Sequence, residues 1–227
     1  MDIFEKALKL VVVGDARVGK SSWVSFLLDD FYESEYTPTD GYNRVRIDFL
    51  TDCGQAKIDF WDVSGSCSTA QDRARWIEGC DAAIIMVDLA DQASIENTVS
   101  WYKEIKSSQH SPSLPVIMFS WKAYEKTDER AIDPTKISWS DELDDTPFYH
   151  TTHVDLNVKS NRIFASQSDR RPIGWIIEEL TGHPDVWFDI VYSPDESINR
   201  PFDPDILKQI APEAFSIVLD HDDDDEL

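Results

Sequence analysis

The stretch that most constrains this chain is the apolar run Leu8 to Val13, followed at once by Gly14-Asp15-Ala16-Arg17-Val18-Gly19-Lys20-Ser21. The run is short, valine-rich and nearly continuous, the pattern of a parallel strand buried on both faces. The residues after it fit G-x-x-x-x-G-K-S, and Lys20 to Leu28 reads as a helix. A strand, a glycine-bounded loop and a helix in that order point successive backbone N–H groups at one anion. The positive end of the helix dipole adds to the pull. Gly14 through Ser22 is therefore the expected phosphate-binding element. Lys20 would reach the β- and γ-phosphates, and the Ser21 hydroxyl would ligate Mg²⁺.

The rest of the chain supplies a body for such a loop. Val45 to Leu50 alternates apolar and polar residues, as do Ile58 and Phe60 with Lys57 and Asp59; with a turn around Gly54 they predict a hairpin with one solvated face. Ala82 to Val87, Val116 to Phe119 and Phe148 to Leu156 read as further strands. Ile95 to Ser107 and Ile173 to Leu180 read as helices, the second ended by Gly182 and Pro184. Tyr124 to Thr146 carries seven acids between Asp128 and Asp145 and predicts loop with helix fragments. Strands alternating with helices in this way make a parallel or mixed sheet covered on both faces. That body spans roughly residues 6–185. Residues 186–227 differ in kind: Pro194, Pro201, Pro204 and Pro212 divide them, and they end in DHDDDDEL, six acids in eight residues.

Composition narrows the partners. The formal net charge is −23, which repels nucleic acid and anionic membranes and favours basic protein surfaces. The start, MDIFEKALKL, lacks a signal peptide's apolar stretch, so a soluble intracellular protein is expected. Cys53, Cys67 and Cys80 are scattered and odd in number, the usage of reduced thiols. His110, His150, His153, His183 and His221 have no metal-ligand spacing with cysteines or acids.

A phosphate-bound Mg²⁺ also needs an acid at the end of a neighbouring strand. Asp62 stands there, in Asp62-Val63-Ser64-Gly65, with an outer-sphere role expected for it and a γ-phosphate-sensing N–H for Gly65. Thr39, between the first helix and the hairpin, can give the metal a second hydroxyl. With Gly14 to Ser22, Tyr36-Thr37-Pro38-Thr39, Phe60 to Gly65, Ile84 to Asp88, the Asn97…Trp101 pair and Asp155 to Asn161 in place, the sequence resembles the Ras-like small GTPases, most closely their Ran branch. The resemblance implies a small-GTPase fold of the P-loop NTPase class: an α/β domain with a mixed, mostly parallel six-stranded sheet, flanked by helices and followed by a C-terminal extension. It implies GTP or GDP with Mg²⁺ as cofactors, and importin-β-type transport receptors, Ran-binding domains and an exchange factor as partners. Residence in nucleus and cytoplasm follows from that likeness. The acidic ending fits the Ran branch, and with no cysteine beyond Cys80 a lipidated C-terminus is not expected.

Three places depart from the pattern. Ser66 follows Gly65 where the family has a water-orienting glutamine, and a serine hydroxyl cannot reach as far, so hydrolysis should be slow. Ala16 adds a methyl in the same space. Arg17, at the loop crest, could lie near the phosphates like a finger or face solvent, and is not assigned a catalytic role. At the base site, the ungapped register puts Trp121-Lys122-Ala123-Tyr124 where Asn-Lys-x-Asp is expected, matching the distance from Pro115. Lys122 could then lie over a base, and Trp121 could stack on it or pack into the core. A four-residue insertion would instead place Glu125-Lys126-Thr127-Asp128 there and restore the guanine-reading carboxylate in Asp128. Asn157-Val158-Lys159 stands at the family's Ser-Ala-Lys, where the Val158 N–H could still face a guanine oxygen. Two function classes follow: a slow nucleotide-dependent switch, or a degenerate Ran mimic that occupies transport receptors with little turnover or relaxed base choice. Asp141, Glu142, Asp144 and Asp145 would repel the acidic tail from its own body, leaving a basic partner as its target.

Overall fold

The computed structural model describes residues 4, 6–29, 37–51, 54–66, 69–108, 114–121, 132–143, 145–150, 167–183, 186 and 188–191. Strand β1 (Leu8–Val13) leads through the loop into helix α1 (Lys20–Asp29). The hairpin β2 (Tyr42–Thr51) and β3 (Gly54–Val63) follows, then α2 (Ala70–Ile77) and β4 (Ala82–Met86). Next come α3 (Gln92–Glu96), α4 (Thr98–Ser107), β5 (Val116–Ser120), β6 (Phe148–His150), α5 (Gln167–Thr181) and β7 (Phe188–Val191). The strands form one sheet in the order β6-β5-β4-β1-β3-β2-β7. The β1, β3, β4, β5 and β6 strands pair in parallel, while β2 is antiparallel to both β3 and β7.

The alternation of β1 explains why it lies at the centre. Leu8, Leu10 and Val12 enter one apolar cluster with Trp23, Phe26, Ile173, Ile176 and Ile177 of α1 and α5. Val11 and Val13 enter the other, with Ile77 of α2 and Trp101 and Ile105 of α4. A strand with apolar side chains on both faces is stable only between two helical layers. Trp23 is fully buried and meets Phe60 and Phe119 edge-on, with ring centroids 6.1 and 5.2 Å apart.

The expected strands are all found, with four differences of detail. The run Ile95 to Ser107 is not one helix but two, α3 and α4, which meet at Asn97. Helix α2 was not foreseen, although Thr69 caps it by accepting from the Asp72 N–H at 3.1 Å, a signal present in Thr69…Asp72. A seventh strand, β7, joins the sheet from the stretch assigned to the extension, antiparallel to Asp48 to Thr51. The hairpin face expected to be solvated is partly covered. Asp59 is 7% exposed and holds Arg44 and Arg46 at 2.6 to 2.9 Å. Burial alone would raise its carboxyl, but the hydrogen bonds and charges of Arg46 and Arg44 together outweigh it and hold the pKa below the ordinary value. Of the segment 124–146, the described part forms two single 3₁₀ turns, Pro134–Lys136 and Asp141–Leu143. In Phe148 to Leu156 the residues past His150 lie outside the described ones.

Trp23→Ala should lower the unfolding free energy by about 3–5 kcal/mol, since it empties the junction of α1 with β3 and β5. Urea titration followed by circular dichroism reads this directly.

Candidate functional site

The site lies beyond the carboxyl ends of β1 and β3, where the chain leaves β1 with neighbours on both sides. Open α/β sheets place their ligands at such points. Gly14 has φ 135°, and a Cβ there would sit 2.3 Å from the Met86 carbonyl oxygen. No side chain fits. Gly65, from the end of β3, presses on the loop from the other side: a Cβ on it would lie 2.3 Å from the Ala16 nitrogen and the Asp15 carbonyl carbon. The loop backbone is thus held between β4 and the turn after β3.

Lys20 begins α1 and its ammonium folds back over the loop. Its Nζ donates to the carbonyls of Gly14 at 2.9 Å and Asp15 at 2.7 Å. The residue is only 6% exposed. Burial pulls its pKa from 10.5 down to about 8, against the opposing charges of Asp62 and Asp15. Beside it three oxygens converge. Ser21 Oγ donates to Asp62 Oδ2 at 2.6 Å and lies 2.9 Å from Thr39 Oγ1. Asp62 is 2% exposed, and its Oδ1 is buried with no hydrogen-bond partner among the described residues. Burial raises its pKa, opposed by the Ser21 hydrogen bond, the Lys20 charge and a hydrogen bond from Thr39.

Two hydroxyls and a carboxylate with a spare buried oxygen are a hard, all-oxygen donor set, which suits Mg²⁺. The residues therefore fit a magnesium–polyphosphate group: Ser21 and Thr39 would hold the metal, with Asp62 behind them, and the loop N–H groups and Lys20 would hold phosphate. Bound there, the metal would neutralise phosphate charge. The chain's own part is to orient the phosphates and to present a desolvated cation and carboxylate at fixed positions.

The other expected residues fall as follows. Val18 is fully buried, Ala16, Gly19 and Ser22 are half-buried, and Arg17 is exposed with φ 68°. Ser66 is exposed, its N–H donating to Ser64 Oγ at 3.3 Å and its hydroxyl 3.4 Å from the same atom. Trp121 is 5% exposed and packs on Phe26 of α1, with centroids 5.5 Å apart. The packing role expected for it is thus present. Lys122, Lys126, Asp128, Asn157, Val158 and Lys159 lie outside the described residues. Sequence reading missed the use of the Asp15 side chain, which accepts from Asn97 Nδ2 at 2.7 Å and Trp101 Nε1 at 2.8 Å. Among the described residues no group of three or more His, Cys, Asp or Glu could hold a metal by itself, and no helix is long and apolar enough to cross a membrane. Burial pushes the Cys80 thiol up to about 12, where it is inert.

A mostly parallel sheet, a glycine-bounded loop at its central strand and a lysine, two hydroxyls and an acid converging on that loop define a nucleotide-binding switch of the P-loop type. The model of the Ras family matches residues 9–167, and the chain belongs to that family. Ras-family proteins are GTP-binding switches, and the fold carries GTP or GDP with Mg²⁺.

The folded pKa of Lys20 lies below its unfolded value of 10.5, so the unfolded chain holds the extra proton between about pH 8 and that value. Stability should rise with pH across this window. Measured against Lys20→Met without nucleotide, the wild-type protein is expected to gain about 2 kcal/mol between about pH 8 and about pH 10. Asp62→Asn removes a buried charge. It should raise the stability of the nucleotide-free protein at neutral pH by about 1 kcal/mol while abolishing Mg²⁺-dependent nucleotide retention. Paired thermal melts and a retention assay with and without chelator check both halves.

Proposed function

We propose that this chain is a Ran-type guanine-nucleotide switch with slow intrinsic hydrolysis, working between nucleus and cytoplasm. The observation that carries the switch is the meeting of Ser21, Thr39 and Asp62 at the foot of the phosphate loop. Thr39 arrives from the segment before β2 and Asp62 from β3, so two separate stretches of chain report on whatever occupies the loop. The Ran branch is supported by the motif matches around both stretches, by the Asn97…Trp101 pair and by the acidic ending. Importin-β-type receptors, Ran-binding domains and an exchange factor are the partners this reading assigns. Asp141, Glu142 and Asp145 are exposed on the body, which favours a basic partner as the target of the acidic tail.

Slow turnover rests on Ser66. Its hydroxyl stays beside Ser64, and nothing at that position spans the distance a glutamine carboxamide covers. A second reading, a degenerate mimic with relaxed base choice, draws on Trp121, which is buried in the core at the position where the ungapped register needs a base-reading asparagine.

The nucleotide released from the purified protein by denaturation, with GDP, GTP and ATP competition on the reloaded protein, separates the two. Guanine-selective retention that depends on Mg²⁺ and is lost in Lys20→Ala supports the switch. Retention of any purine nucleotide, or of none, with receptor binding unchanged, supports the mimic. Ser66→Gln should speed single-turnover GTP hydrolysis at least about tenfold. An unchanged rate would mean that Ser66 is not what slows turnover.

A further inference from the structure

We infer that Trp101 is a positioning residue that fixes the first turn of the phosphate loop through Asp15 and couples that turn to α2. The inference rests on the reading of the loop as a nucleotide site.

Asp15 is an awkward residue for a phosphate loop, because its carboxylate would repel the anion the loop is built to hold. Both carboxylate oxygens are instead drawn to the α3–α4 junction, Oδ2 by Asn97 Nδ2 at 2.7 Å and Oδ1 by Trp101 Nε1 at 2.8 Å. Asn97 and Trp101 are four residues apart and share one helix face. The backbone at Asn97 stays helical, with φ −74° and ψ −9°, and its side chain makes no hydrogen bond to the start of α4, so the amide is free to point at the loop. The main chain of Asp15 faces the other way: its carbonyl accepts Lys20 Nζ at 2.7 Å, and its carbonyl carbon lies against Gly65. Fixing the side chain of Asp15 therefore fixes a carbonyl that holds Lys20.

The clamp continues into α2. The Arg73 guanidinium lies 5.3 Å from the Trp101 ring centre, and Arg73 Nε donates to both oxygens of Glu104 at 3.0 and 3.2 Å. Glu104 is three residues beyond Trp101 on α4, so the Arg73–Glu104 pair closes over the indole. Helix α2 comes shortly after Gly65 and Ser66. A displacement of α2 withdraws Arg73 from the indole and loosens the ring whose N–H holds Asp15. If Trp101 merely filled the apolar layer between α4 and the sheet, ring volume alone would matter.

The test uses the full chain loaded with a fluorescent GDP and Mg²⁺, chased with excess unlabelled GDP. Trp101→Phe keeps an aromatic side chain but loses the N–H together with the indole's five-membered ring, and GDP should dissociate about tenfold faster; the lost core volume is separated from the lost hydrogen bond by the exposed Asn97. Asn97→Ala, on an exposed position, removes the other donor and should speed release several-fold even if Trp101→Phe folds poorly. Arg73→Ala should also speed release, and combining it with Trp101→Phe should add little beyond the larger single effect. Wild-type release rates in both Trp101→Phe and Asn97→Ala overturn the positioning role. An Arg73→Ala rate equal to wild type, or effects that multiply in full, overturn the coupling to α2. Wild-type protein that retains no labelled GDP overturns the switch reading and this inference together, a result distinct from fast release in the variants alone.

Discussion

Two charges taken out of water beside one loop organise this protein. Lys20 is buried on the carbonyls of Gly14 and Asp15, and Asp62 is buried against Ser21 with one oxygen unmatched among the described residues. In each case burial dominates and disfavours the charged form. A fold that desolvates a cation and a carboxylate without fully pairing either holds them ready for a ligand carrying the missing charges. The apolar strand before the loop, the helix after it and the hairpin that brings Asp62 all serve to keep those groups in place.

The sheet supplies the rigidity. With β1 between β3 and β4, the loop is braced from both sides, by the Met86 carbonyl under Gly14 and by Gly65 over Asp15 and Ala16. These are backbone contacts, so they survive changes of side chain elsewhere.

The acidic surface gives the cations on β1, β2 and α2 a visible role. Arg44 and Arg46 converge on Asp59, Lys9 lies 4.3 Å over the Trp61 ring, and Arg73 closes over Trp101. Each cation is used locally, on an acid or an aromatic face, which leaves the excess of negative charge to govern long-range encounter.

Much of this was visible in the residues alone. Alternating apolar positions identified the strands, because burial on one or both faces leaves a period in the chain, and G-x-x-x-x-G-K-S identified the loop, because a backbone cradle for phosphate tolerates few sequences. The roles of Ser21, Thr39 and Asp62 were proposed from type and position, and the fold brings those three together. The break at Asn97 was not visible, since Ile95, Val99, Tyr102 and Ile105 keep helical spacing straight across it. Nor was β7, because four residues hold too short a pattern to show that β2 has a free edge for them. That Trp121 packs on Phe26 of α1 appears only in the fold. Local pattern records what a residue needs, burial or a donor or a turn. Which distant residue meets that need, Asn97 and Trp101 for Asp15 or Glu104 for Arg73, is fixed when the chain closes, because those partners are separated by 82, 86 and 31 positions.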